Sequence, residues 1–127
     1  MAFGSYEVGV TQRTPIPDLL GEDSKRVGGF SLASVSLKRN LDTATETSHV
    51  FHLPALLQSL GVTLADRASA WQRRLDETAA TLAEHQREID DIAFRLYGID
   101  GEDRRMIEAG AGAMASPESD DEAEDDS

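Results

Sequence analysis

The chain has 127 residues, a net charge of −12 and no cysteine. That length supports a single domain, the missing cysteines exclude a disulfide framework and thiolate-ligated zinc, and the acidity argues against non-specific binding of nucleic acid by the chain as a whole. No apolar run reaches the roughly 18 residues that a membrane span requires, and the N-terminal MAFGSYEVGV lacks a signal-peptide pattern, so a cytoplasmic protein without membrane contact is expected.

In chain order, Tyr6, Val8 and Val10 alternate with Glu7, Gly9 and Thr11. That is the period of a half-buried strand, and Pro15 and Pro17 would end it, because proline cannot donate to a sheet ladder. A lone strand needs partners from outside this chain. Residues 1–22 are therefore expected to be the strand and connector that finish a larger module. From about Ser24 a helix is expected, with Val27, Phe30, Leu32, Val35, Leu37 and Leu41 as its apolar residues. Gly28 and Gly29 would weaken it by about 1 kcal/mol each relative to alanine, which points to a helix start or to close packing. The segment Thr43 to Leu57 reads as an extended connection into a short helical turn at Pro54.

Gly61 breaks the chain, and a long helix follows. Thr63 is its expected N-cap, with Asp66 three residues on to complement the exposed amides. Leu64, Trp71, Thr78, His85 and Ile92 form one column of a heptad pattern, and Ala68, Leu75, Leu82, Ile89 and Leu96 form the other. Steps alternating four and three are the spacing of a helix packed against another helix. Up to Tyr97 such a rod would span roughly 51 Å, long for what one small domain can bury. The seam is therefore expected to dock on helices this chain does not contain. Gly98 supplies a left-handed C-terminal cap, and Asp100 with Asp103 starts a last short helix around Met106 and Ile107. The fold expected is mainly α: a short N-terminal strand, a helix, the long helix forming a helical hairpin or bundle over residues 23–115, and a short C-terminal helix. Residues 116–127 carry seven acids, no base and no large apolar side chain, a composition expected to stay disordered.

Few constellations could carry chemistry. Glu46, His49 and His52 share a metal-like spacing, but residues i and i+3 of an extended segment point to opposite faces, so convergence is not built in. His85 interrupts the apolar seam, as a hydrogen-bonded core histidine or as a polar residue that fixes register. Glu88, Asp90, Asp91, Glu102 and Asp103 lie where a solvated helix face would put them. The basic pairs Lys25–Arg26 and Lys38–Arg39 are thirteen residues apart, close to three and a half helical turns, and so do not form one stripe. No nucleotide-binding glycine loop and no catalytic triad has supporting context.

Three blocks, in this order, resemble the C-terminal end of large bacterial N6-adenine DNA methyltransferases, the fused type II restriction–modification enzymes and the related enzymes of BREX-like phage-defence systems. They are EVGVTQRTPIPDL (Glu7 to Leu19), TETSHVFHLPALL (Thr45 to Leu57) and QREIDDIAFRLYGIDGEDRRMIE (Gln86 to Glu108). The resemblance implies a target-recognition or scaffolding portion of such a system. It departs from the family where catalysis resides: there is no S-adenosylmethionine motif and no Asn-Pro pair, so neither cofactor binding nor adenine flipping and methylation is expected of this chain alone. S-adenosylmethionine is expected in a catalytic methyltransferase polypeptide that this chain partners, with DNA contacted through the complex. Gln12, Arg13, Lys25, Arg26, Lys38 and Arg39 are the candidate DNA contacts; Leu64, Ala68, Trp71, Leu75, Leu82, His85, Ile89, Ile92, Leu96 and Tyr97 are the candidate packing seam. The rival expectation is a free-standing coiled-coil interaction module that self-associates through that seam.

Overall fold

Thr63 and Gly98 bracket the element around which the rest is arranged. In the computed structural model, which describes residues 8–114, every element is helical: Val8–Arg13 (α1), Glu22–Asp42 (α2), Ala55–Gln58 (α3), Leu64–Leu96 (α4) and Gly101–Met114 (α5). The Thr63 hydroxyl accepts the Asp66 backbone N–H at 3.1 Å, and the Asp66 carboxylate accepts the Thr63 N–H at 3.0 Å. This reciprocal box satisfies two of the amides a helix start leaves unpaired. At the other end Gly98 adopts φ 66°, and its N–H donates to the Arg95 carbonyl while that of Ile99 donates to Phe94. Those two bonds close a Schellman cap, whose left-handed residue favours glycine. Asp100 then starts α5, its Oδ1 accepting the N–H groups of Glu102 and Asp103 at 3.0 and 2.9 Å.

The fold is a hairpin of unequal arms. With 21 and 33 residues, α2 and α4 measure about 32 and 50 Å. They run antiparallel: Asp23 near the start of α2 meets Arg95 near the end of α4, and Asn40 near the end of α2 meets Arg74. The half-buried residues of α2 fall at Asp23, Val27, Phe30, Ser34, Leu37 and Leu41, the spacing of a helix facing one partner. The first ten residues of α4 overhang α2 and are met instead by α3 and its loop, where Arg67 donates to the carbonyls of Gly61 at 3.1 Å and Leu56 at 3.3 Å.

Two expectations are corrected. The strand expected around Val8 and Val10 is helix α1, with Tyr6 outside the described residues. No strand occurs among the described residues to accept its edge, so the backbone closes its hydrogen bonds locally, and the Thr14 hydroxyl adds one to the Val10 carbonyl at 3.1 Å. The seam of α4 also has a partner inside the chain: from Arg74 to Arg95 it is met by α2, so helices elsewhere are not needed for most of its length. The hairpin expected for the helical region is present, and α2 begins at Glu22, two residues ahead of the expected start. The acidic segment 116–127 lies outside the described residues.

Candidate interaction surface

Polar contacts set the register of the hairpin. Arg95 makes two bonds to the Asp23 carboxylate, at 2.6 and 3.2 Å, and Arg26 reaches Glu88 at 2.8 Å. The hydrogen bond and charge of Arg95 hold the Asp23 carboxyl below the usual carboxylate range, and Asp23 in turn raises Arg95. Solvent screens pairs this exposed, so they can choose a register but do not hold two helices together. Between them, half-buried His85 has its ring centroid 5.3 Å from that of Phe30, and its Nδ1 lies 3.0 Å from the Ser34 hydroxyl. That is a hydrogen-bonded interhelix histidine.

A second junction involves a residue that the sequence presents only as half of a basic pair. The Arg74 guanidinium lies 5.1 Å over the Trp71 ring, donates to the Asn40 backbone and side-chain carbonyls, and reaches Gln58 Oε1 at 3.3 Å. Gln58 donates onward to the Leu53 carbonyl at 2.7 Å and pairs with the Thr43 hydroxyl. One cation thus ties the end of α2, the turn after it, α3 and α4 together. It also meets carbonyls at a helix C-terminus, where positive charge is favoured. Nothing in the spacing of Arg73–Arg74 distinguishes the two; only the arrival of α2 and α3 does.

Around these contacts the apolar core is one residue deep. Among the described residues Ile92, 3% exposed, is the single hydrophobic residue that is fully buried, and Thr78 and Ser59 are the buried polar ones. Within the seam Trp71, Leu75, Leu82, His85, Ile89 and Leu96 are half-buried, while Ala68, Tyr97 and Leu64, the last 69% exposed, face outward. The turn joining α3 to α4 presents Leu60 and Val62 at 89% and 99% exposure. Along one flank of the hairpin runs a groove of about 540 Å³, with Val35, Lys38 and Arg39 on the α2 side and Leu82, Gln86 and Ile89 on the α4 side. A smaller apolar cleft of about 200 Å³ adjoins it at Ile89, formed by Ile16, Pro17 and Leu19 of the connector with Val27, Ile92 and Leu96. Tyr97 closes its end and donates to the Pro15 carbonyl at 2.8 Å.

The candidate DNA contacts do not converge. Gln12 and Arg13 are exposed on α1. Lys25 pairs with Glu22 at 3.3 Å and Arg26 with Glu88, so both are neutralised by carboxylates. Lys38 and Arg39 stand near the opposite end of α2, on the groove, with no ion pair among the described residues. The acids of α4 and α5 serve surface pairs: Arg104 binds Asp91 and Glu108 and stacks 4.6 Å over Phe94, and Gln86 donates to Asp90 at 2.7 Å. His49 and His52 are exposed in the segment between α2 and α3, and no group of three metal-ligating side chains comes together among the described residues. Among the described residues no carboxylate is hydrogen-bonded to the imidazole of the Ser34–His85 pair, so they supply no orienting member of a triad.

No protein-family model, curated protein or solved structure matches the chain. No helix among the described residues is long and apolar enough to cross a membrane. What the geometry offers is surface: a thin hairpin with apolar residues left open at its tip and along one flank.

Proposed function

We propose that the chain is the non-catalytic C-terminal target-recognition or scaffolding portion of an adenine-specific DNA methyltransferase system, of the restriction–modification or phage-defence kind, and that it works in the cytoplasm docked on the polypeptide that binds S-adenosylmethionine. The observation that carries the docking role is the imbalance between exposed and buried apolar surface. Among the described residues one hydrophobic residue is fully buried, while Leu60, Val62, Leu64, Leu20 and Ile16 are each more than two-thirds exposed. Each such side chain gains roughly 1.5–3 kcal/mol when covered, so a partner surface would stabilise the hairpin considerably. The identity of the partner rests on the three sequence blocks that resemble the methyltransferase family. DNA is then met through the complex, consistent with a chain whose net charge is −12.

The seam-driven, self-associating module is the weaker reading, because α2 already occupies the seam from Arg74 to Arg95. The test is co-expression with a methyltransferase body that carries the Asn-Pro-Pro-aromatic and cofactor motifs. A soluble complex should form, and N6-methyladenine in plasmid DNA should depend on both components. Full, site-specific methylation by a body lacking this C-terminal portion, with no co-purification of the chain, would sink the proposal.

A further inference from the structure

We infer that the trough between α2 and α4 seats one amphipathic helix of the methyltransferase body, with an apolar ridge and with carboxylates at the end that meets Lys38 and Arg39. The inference rests on the docking function proposed above and adds the place and chemistry of the contact. The groove and the smaller cleft share Ile89 as a lining residue and follow one another along α4, and together they are the trough. From Leu82 to Tyr97 it follows α4 for about 23 Å, the length of roughly fifteen helical residues. Its floor is apolar (Val35, Leu82 and Ile89, then Ile92 and Leu96), and two antiparallel helices with an open apolar flank are what a third helix completes into a bundle.

Charge selects among occupants. The chain carries −12 in total, yet the ionisable groups lining the wide end of the trough are Lys38, Arg39 and a single carboxylate, Asp42. Lys25, Arg26, Arg95 and Arg104 are held by carboxylates; Lys38 and Arg39 have no such partner among the described residues and stand side by side on the groove. A helix with acids at one end answers them and is steered to the trough by them. Segment 116–127 has the acids but no large apolar side chain, so it cannot fill the floor. A second copy would oppose the same two cations to themselves and add a like net charge of −12. The occupant therefore reads the trough in the helix-in-groove mode, with anchors three and four residues apart.

The full chain is titrated against the purified methyltransferase body, with three variants whose helicity is first confirmed by circular dichroism. Val35 is 62% exposed, so Val35→Asp leaves the hairpin folded. That variant, and the double variant Lys38→Glu with Arg39→Glu, should each raise Kd at least about tenfold, the double variant also flattening its salt dependence. Val62→Asp, at the far tip, should raise Kd less than either trough variant. If the wild-type chain binds the body and both trough variants bind equally well while Val62→Asp is weakened, the inference is overturned and the docking function stands. A wild-type chain that ignores the body removes the function and the inference together. A wild-type dimer in sedimentation that Val35→Asp splits would identify a second copy as the occupant and also overturn it.

Discussion

Replacing Gly28 and Gly29 with alanine should stabilise the protein, and the structure sets the size of the effect. Both residues lie inside α2 with helical, negative φ angles, and a Cβ built on either meets no heavy atom within 4 Å. Nothing is lost by adding the methyl groups, and two positions in a helix interior gain about 1 kcal/mol each from the lower backbone entropy of the unfolded chain. The double variant should therefore gain about 2 kcal/mol, a large share for a protein with so thin a core. At about 4–8 °C per kcal/mol for a domain of this size, the gain is visible in thermal unfolding followed by circular dichroism. Gly61 is the internal control with the opposite sign. Its Cβ would lie 2.7 Å from Asp66 Cβ and 2.8 Å from the Arg67 backbone nitrogen. Those atoms belong to the first turn of α4 and cannot swing aside, so Gly61→Ala should cost about 1–3 kcal/mol. A destabilised Gly28/Gly29 double variant would mean that another element packs on that face of α2 in solution, and the hairpin register described above would be wrong. A neutral Gly61→Ala would refute the close approach of the α3–α4 turn to α4.

Ile92→Ala removes the one fully buried hydrophobic side chain and should cost about 3 kcal/mol, read as a lower urea midpoint with loss of helicity; a change under about 0.5 kcal/mol would show that the core lies elsewhere. Thr63→Ala breaks the capping box and should cost about 1 kcal/mol by the same measurement. Stability should also fall in acid. Asp66 is held below the ordinary carboxylate range by the Thr63 backbone N–H and then by its hydroxyl, and Asp23 by Arg95. Both groups are lowered on folding, so their contribution is complete above about pH 4 and is lost as pH falls through the depressed folded values. A urea midpoint measured from pH 7 downward should drop in that window, and Asp23→Asn with Asp66→Asn should flatten the drop; a midpoint insensitive to the double variant would refute both contacts.

The elements that were legible in the sequence are those whose causes are local. Thr63 with Asp66, Gly98 before Ile99, and Asp100 with Asp103 each act within one helical turn, so the bounds of α4 and the start of α5 follow from neighbours along the chain. The heptad columns of α4 likewise announce a partnered helix. What they cannot carry is the partner's identity, because any apolar stripe on any helix satisfies the same periodicity. The strand expected at Val8 and Val10 failed for the reverse reason: alternation over five residues suits a strand only where a neighbour accepts its hydrogen bonds, and none is present among the described residues.

The trough was half visible. Leu32 and Val35 fall off the 27–30–34–37–41 stripe of α2, so their outward position could have been drawn from a helical wheel once α2 was placed opposite α4. Lys38 and Arg39 could not be separated from Lys25 and Arg26 by spacing, since what distinguishes them is that Glu22 and Glu88 reach one pair while the other has no ion pair among the described residues. Arg74 is a plainer case still, a junction residue with no sequence signature, because the residues that accept its hydrogen bonds, Gln58 and Asn40, are 16 and 34 residues away. By itself, the sequence determined the bounds of α4, the start of α5 and that the longest helix must be covered, since caps and periodicity act over a few residues. Tertiary structure alone decided what covers it. The antiparallel return of α2 closes most of the seam, pairs some charges and strands others, and leaves the flank and tip open, and those outcomes depend on contacts between residues far apart in the chain.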